Sequence, residues 1–224
     1  MDNLTFDDIC RKLTERDNFS FQRVGDGEWH AILGDSGMNC DNHPYYHEMS
    51  LALAMTLLQD QACYMGMQPF ALKRLGARIH EWIADNGCDI KWCDADIIHD
   101  ASTDGRLGEL HDALRGRKII LVGPNHLRQI AQKMQAVYVN CPDKYPCWKA
   151  WTTMYTDMSE QLEKDTVVLY CAGMPSGVMI DKACREYGNT ITQLDLGSAL
   201  DPYAGRLSRR YHQKILERLK EEAI

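Results

Sequence analysis

The sequence predicts an α/β fold: a mostly parallel β-sheet with helices on both faces. Three observations carry this expectation. Short apolar runs alternate with amphipathic stretches through the second half of the 224-residue chain, and glycine turns stand where several of these runs end. No internal repeat, low-complexity tract or Pro/Gly/Ser-rich linker interrupts the pattern, so one domain over residues 1–224 is expected. Strands and helices that alternate in this way join through right-handed crossovers into a parallel sheet. Ligands of such sheets sit at the carboxyl ends of the strands.

In chain order, a first helix is expected from Thr5, whose hydroxyl caps it while Asp8 answers three residues later, to about Asp17. Residues 19–24 alternate apolar and polar side chains as a strand does. Gly25-Asp26-Gly27 reads as a turn, residues 28–33 as a short helix, and residues 45–58 repeat Leu and Met at helical spacing. A short strand at 62–65 precedes a helix opened by Pro69, with Leu72, Leu75, Ile79 and Ile83 as its inward stripe. Residues 88–105 show no strong periodicity. Four strand-helix units follow: 118–122 with a helix from Pro124, 136–140 with a helix from about Trp148, 166–171 with a helix near Pro175, and 190–194 with a terminal helix after Pro202.

Composition narrows the function. At 45% hydrophobic and 25% charged, the chain can bury a full core. No apolar run approaches the roughly 18 residues of a membrane span, and the first residues are acidic where a signal peptide is basic, so a cytoplasmic, soluble protein is expected. Nine cysteines without an export signal read as reduced thiols. The pairs Cys88/Cys93 and Cys141/Cys147 are spaced too widely for a zinc knuckle, and His43, His47 and His99 form no zinc-enzyme pattern. A net charge of -7 argues against a surface that grips a polyanion throughout. Arg206, Arg209, Arg210, Lys214, Arg218 and Lys220, interleaved toward the end with Glu217, Glu221 and Glu222, read as the solvated face of the last helix.

Three strand ends carry candidate chemistry. At Arg23-Val24-Gly25-Asp26-Gly27-Glu28 two carboxylates one residue apart can reach a hard cation, and Gly25 and Gly27 permit a tight backbone path. Such a cation clamps a diphosphate, and the Arg23 fork suits phosphate oxygens or the orienting of a carboxylate; the alternative is common turn chemistry with Arg23 paired to a neighbouring acid. At Cys171-Ala172-Gly173-Met174-Pro175-Ser176-Gly177 a strand runs through a glycine turn into a helix. Either the helix N-terminus there holds an anion, with Gly173 and Gly177 permitting close approach and Ser176 able to donate, or the residues form an ordinary tight strand-to-helix turn, since neither a P-loop nor a G-x-G-x-x-G fingerprint is complete. At Gly123-Pro124-Asn125-His126, Asn125 and His126 are placed either to read a nucleobase, ribose or sugar hydroxyl or to cap the next helix.

The nine-residue pattern Ser20-x-x-Arg23-x-Gly25-Asp26-Gly27-Glu28 resembles the signature of the GT-D type glycosyltransferases, a family first described as a domain of unknown function. The resemblance implies a compact Rossmann-like domain that transfers a sugar from a nucleotide-diphosphate sugar, a UDP-sugar in known members. It implies that Asp26 and Glu28 engage the metal, Mn or Mg, and the donor. The strand at 167–170, the turn at Gly173 and the later Leu194-Asp195-Leu196-Gly197 are similar to further family elements. Where the family commonly continues with His, this chain has Ser198, then Ala199-Leu200-Asp201.

The expected reaction is therefore metal-assisted sugar transfer to a hydroxyl, of open stereochemistry, with Asp195 or Asp201 either as general base or as a cap of the turn that follows its strand. The acceptor stays open between a glycan, a glycoprotein and a modified DNA base. The DNA alternative is motivated by the basic terminal segment and by Trp148, Trp151 and Tyr155, which share a spacing suited to stacking or to a buried helix face. A non-catalytic nucleotide-sugar binding module is the alternative of another class.

Overall fold

The computed structural model describes residues 4–58, 63–142 and 147–221. Its centre is a seven-stranded sheet in the order β3-β2-β1-β7-β6-β4-β5, all parallel, made of β1 (Ser20–Val24), β2 (Tyr64–Met67), β3 (Trp92–Asp94), β4 (Ile119–Pro124), β5 (Val137–Cys141), β6 (Val167–Tyr170) and β7 (Thr192–Asp195). A parallel sheet is covered on both faces, which is why its inner strands β4 and β6 read as continuous apolar runs. Within β4, Ile120 and Val122 belong to the core on one face while Ile119 and Leu121 belong to the other.

The first face is covered by α2 (Asp26–Ile32), α3 (His47–Leu58), α4 (Pro69–Asp85), α8 (Cys147–Ser159) and α9 (Pro175–Tyr187), with Trp29, Leu53, Ile79, Met158 and Met179 buried against the strands. The second is covered by α1 (Phe6–Glu15), α5 (Ile97–Thr103), α6 (Leu107–Ala113) and α7 (Arg128–Lys133), through Ile9, Leu13, Ile98, Leu110 and Ala131. The last helix, α10 (His212–Glu221), packs on α5. The connection after β4 leaves on the second face and that after β6 on the first, so these neighbouring strands part at their carboxyl ends and open a crevice there.

Several expected elements are displaced. The capping box at Thr5 and Asp8 forms, and α1 stops at Glu15 because Arg16 turns left-handed. Gly25-Asp26-Gly27 is not a turn: Gly25 is the extended N-cap and α2 already begins at Asp26. β2 runs two residues later than expected, and Ala62 lies outside the described residues. In α4, Ala71, Leu75 and Ile79 are buried, whereas Leu72 is exposed and Ile83 only partly covered. The stretch at 88–105 holds β3 and α5, elements too short to show a period. Pro124 ends β4, and a 3-10 turn, Asn125–Leu127, precedes α7. After β7 a 3-10 turn at Asp201–Ala204 intervenes, so Arg206, Arg209 and Arg210 precede the terminal helix rather than lie on it. Glu222 and the side chain of Cys147 lie outside the described residues. No described helix is long and apolar enough to cross a membrane.

Candidate functional site

The carboxyl ends of β1, β4, β6 and β7 converge on one cleft of about 430 Å³. Arg23, Gly25, Asp26, Gly27 and Glu28 form one wall, Cys171 to Met174 the floor beside it, and Asp195, Gly197, Ser198 and Asp201 the next wall. Residues 39–43 and 206–209 face each other across the mouth, joined by a bidentate ion pair from Arg209 to Asp41 at 2.7 and 2.9 Å.

Asp26 and Glu28 both stand in the first turn of α2, where the helix dipole favours negative charge. Glu28 Oε2 accepts the N–H of Gly25 at 2.9 Å, and Asp26 Oδ2 accepts from Arg74 at 3.2 Å. Burial pushes the Glu28 carboxyl up to about 7, and the neighbouring Asp195 charge adds to this, while the Arg23 charge and the Gly25 N–H pull the other way. Among the described residues no three His, Cys, Asp or Glu side chains cluster as a metal cage. A Mg²⁺-like ion takes one or two carboxylates and completes its shell with substrate phosphates and water. The donor set Asp26 plus Glu28, each with a second oxygen beyond these bonds, fits that mode.

Arg23 reaches the cleft as a braced side chain. Its Nε donates to Ala95 O at 2.6 Å and its Nη2 to Asp96 Oδ1 at 3.1 Å, with His99 Nδ1 3.2 Å away. The other nitrogen, Nη1, sits against Gly197, which has φ +53 and leaves no room there for a Cβ. Because an arginine only donates, His99 Nδ1 accepts from it and His99 Nε2–H donates to Leu196 O at 3.2 Å. Burial and the Arg23 charge lower the His99 pKa to about 4, so it is a neutral brace. Asp195, 7% exposed, takes the Gly197 N–H at 3.0 Å. Burial raises its carboxyl to about 6, against the pull of Arg23 and that N–H.

Asp201 is engaged on both oxygens, by His126 Nε2 at 2.8 Å and by the Ser208 hydroxyl at 2.5 Å. Burial works against its charge, but these two hydrogen bonds prevail and hold its carboxyl below the ordinary value. Arg206 donates to His126 Nδ1 at 3.2 Å, which aligns an arginine, an imidazole and a carboxylate along one side of the cleft.

The structure brings Arg23, Gly25, Asp26, Gly27, Glu28, Gly173, Asp195 and Asp201 together and leaves three expected residues outside. Ser176 is fully buried, its hydroxyl accepting the Ala172 N–H at 3.3 Å, so it does not face the cleft as a donor. Gly177 is buried where an added Cβ would come within 2.7 Å of Gln22 Nε2, so its smallness serves helix-to-strand packing. Asn125 is exposed in the 3-10 turn and does not line the cleft. Gly173, at φ +67, keeps the turn expected of it. Sequence reasoning passed over His99, Asp96, Arg206 and Arg209. Nothing in the linear pattern marks the first two, and the arginines were hidden in an apparent helix face. Ser198 pairs with Tyr211 at 2.9 Å, and the His99 ring lies 5.1 Å from that tyrosine, so an imidazole reaches this strand end from α5.

No family model and no curated protein matches the sequence. Solved structures match its fold. A glycosyltransferase (DUF1792) from Streptococcus sanguinis superposes with a TM-score of 0.68 at 15% identity, covering 89% of this chain and 82% of that one. A structure of domain of unknown function 1792 described as having a distinct glycosyltransferase fold gives a TM-score of 0.64 at 15% identity, over 89% of this chain and 79% of that one. The chain thus has the fold of these proteins, an all-parallel α/β sheet layered by helices.

Proposed function

We propose that this chain is a glycosyltransferase that moves a sugar from a nucleotide-diphosphate sugar, a UDP-sugar, to a hydroxyl acceptor with Mn²⁺ or Mg²⁺. One observation carries the reading: Asp26, Glu28, Gly173 and Asp195, from three separate strand ends, line a single cleft in a fold shared with glycosyltransferases.

Asp26 and Glu28 would hold the ion, which when bound neutralises charge on the departing diphosphate. Arg206 and the braced Arg23 add fixed positive charge on the same cleft, already oriented before reaction. The turn at Gly173 brings backbone close to the diphosphate at the head of α9. Of the two candidate bases, Asp195 is the better suited. Its raised pKa leaves it ionised at neutral pH yet able to take the acceptor proton. Asp201 has both oxygens committed, and its role is to position His126 and Arg206.

The test is a screen of nucleotide-sugars with Mn²⁺ for slow donor hydrolysis to the nucleoside diphosphate, followed by transfer. Asp26→Ala and Glu28→Ala should each reduce metal-stimulated turnover by at least about 100-fold, the loss expected when a transition-state charge partner is removed. Full activity in both variants would overturn the site, and binding without any turnover would leave a nucleotide-sugar binding module instead.

A further inference from the structure

A second surface pocket of about 500 Å³ is lined by Tyr46, Glu48, Trp148, Lys149, Trp151 and Thr152. Trp148 and Trp151 lie stacked, ring centroids 5.8 Å apart and planes 23° from parallel, and Lys149 Nζ sits 5.7 Å over the Tyr46 ring. Both indoles are only partly covered, whereas Glu48, Lys149 and Thr152 are exposed. Tyr155 is not part of this surface: it is 5% exposed and its hydroxyl is tied to Glu186.

The two helices that line this pocket begin close in sequence to residues of the cleft. α3 begins at His47, a few residues after the cleft-lining His43, and α8 follows β5, whose end at Cys141 and Pro142 also lines the cleft. From this placement we propose that Tyr46, Trp148 and Trp151 form a subsite for a pyranose ring of the acceptor glycan, with Glu48 and Lys149 holding its hydroxyls. This rests on the glycosyltransferase reading above and names its acceptor class.

The chemistry selects a sugar over a nucleobase. A pyranose offers a flat face of C–H groups to an indole and a rim of hydroxyls around it, and this surface answers with an apolar face and a polar rim. A carboxylate accepts from sugar hydroxyls and an ammonium donates to them. A nucleic acid would bring phosphates to the same place, against Glu48 and a chain of net charge -7.

Tryptophan fluorescence of the full chain, titrated without donor, tests the subsite with cellotriose and chitotriose as probes and a thymidine hexanucleotide as the rival. The expected result is saturable quenching by at least one saccharide in the millimolar range typical of a single small subsite. Trp148→Ala and Trp151→Ala should each weaken it at least fivefold. Glu48→Gln, at an exposed position in the first turn of α3, should weaken it at least twofold. Absence of saturable quenching by both saccharides, quenching unaltered in all three variants, or quenching by the oligonucleotide alone would overturn the subsite. Saccharide binding is read apart from turnover. Donor hydrolysis without saccharide quenching would therefore remove the subsite alone, and quenching without any hydrolysis would remove the transferase reading alone.

Discussion

Glu28 caps α2 through the Gly25 N–H and, in the proposed mechanism, holds the cation; both roles favour the charged carboxylate, and burial opposes them. Its folded-state pKa, about 7, lies above the ordinary 4.5, so without a cation the folded protein binds this proton more tightly than the unfolded chain. The stabilisation this gives is full below about pH 4.5 and is lost as pH rises through about 7. Glu28→Gln keeps an oxygen for the cap but never charges. Relative to the parent it should be more stable at pH 8 by about 1–3 kcal/mol, or a few degrees in thermal melts, with no gain at pH 4. The same variant should lose metal-stimulated hydrolysis, and an unchanged melting temperature at pH 8 would count against a buried, charged Glu28. Asp195, the proposed base, gives a second expected pH signature. Turnover should fall as pH drops through about 6, where its carboxyl takes up a proton, and Asp195→Asn should leave only a low, flat residue. His99, with its pKa near 4, should not contribute to this limb: His99→Gln, which can still accept from Arg23 and donate to Leu196, is expected to keep the shape of the pH profile.

At the scale of elements, the turn between β6 and α9 separates what sequence can show from what packing decides. The glycines and Pro175 announced a strand, a tight turn and a helix, and all three are present. Which of these residues face the ligand was not legible, because in the first turn of a helix side chains fan around the axis. Gly173 lines the cleft while Ser176 and Gly177 turn to β1 and the core. Gly177→Ala tests this division. Its Cβ would meet the buried Gln22 amide at 2.7 Å, so overpacking should cost about 1–3 kcal/mol and lower the melting temperature by several degrees. In the proposed reaction donor KM of the folded protein should move less than twofold, and a large KM rise with unaltered stability would return Gly177 to the binding site. The same limit applies to β3 and α5. A three-residue strand ending in Asp and a seven-residue helix rich in polar residues have no readable period, yet they deliver Asp96 and His99, the two side-chain braces of Arg23. The first-turn pair Asp26 and Glu28 was legible because it sits in one contiguous pattern. Arg206 and Arg209 were not, since the break before α10 depends on the 3-10 turn after β7.

For the molecule as a whole, the proposed function asks an acidic chain to bind a diphosphate against its own field. Net charge -7 is spread over the surface, whereas Arg23, Arg206 and Arg209 line the cleft itself. At physiological salt charges are screened beyond about 8 Å, so a small anion inside the cleft responds to its lining and not to the distant surface. A long duplex cannot escape that surface, which separates a nucleotide from a polyanion by size alone. The carboxylates Asp26 and Glu28 oppose the arginines within the cleft, and in the proposed mechanism a divalent cation would resolve this opposition by converting them from repulsive to attractive neighbours of the diphosphate. Binding to the folded state alone raises stability by about 2.7 kcal/mol at 100 times Kd. Melting temperature should therefore rise by about 5–10 °C with a saturating nucleoside diphosphate and Mn²⁺ together, and clearly less with either alone. The double variant Asp26→Asn/Glu28→Gln should erase the Mn²⁺-dependent part and keep, or enlarge, the shift with nucleotide alone, because the repelling carboxylates are gone. Duplex DNA at 150 mM salt should give no shift. A nucleotide shift of the same size in EDTA as in Mn²⁺, in the unsubstituted protein, would show that the arginines suffice and that the paired carboxylates serve the helix cap instead of a cation.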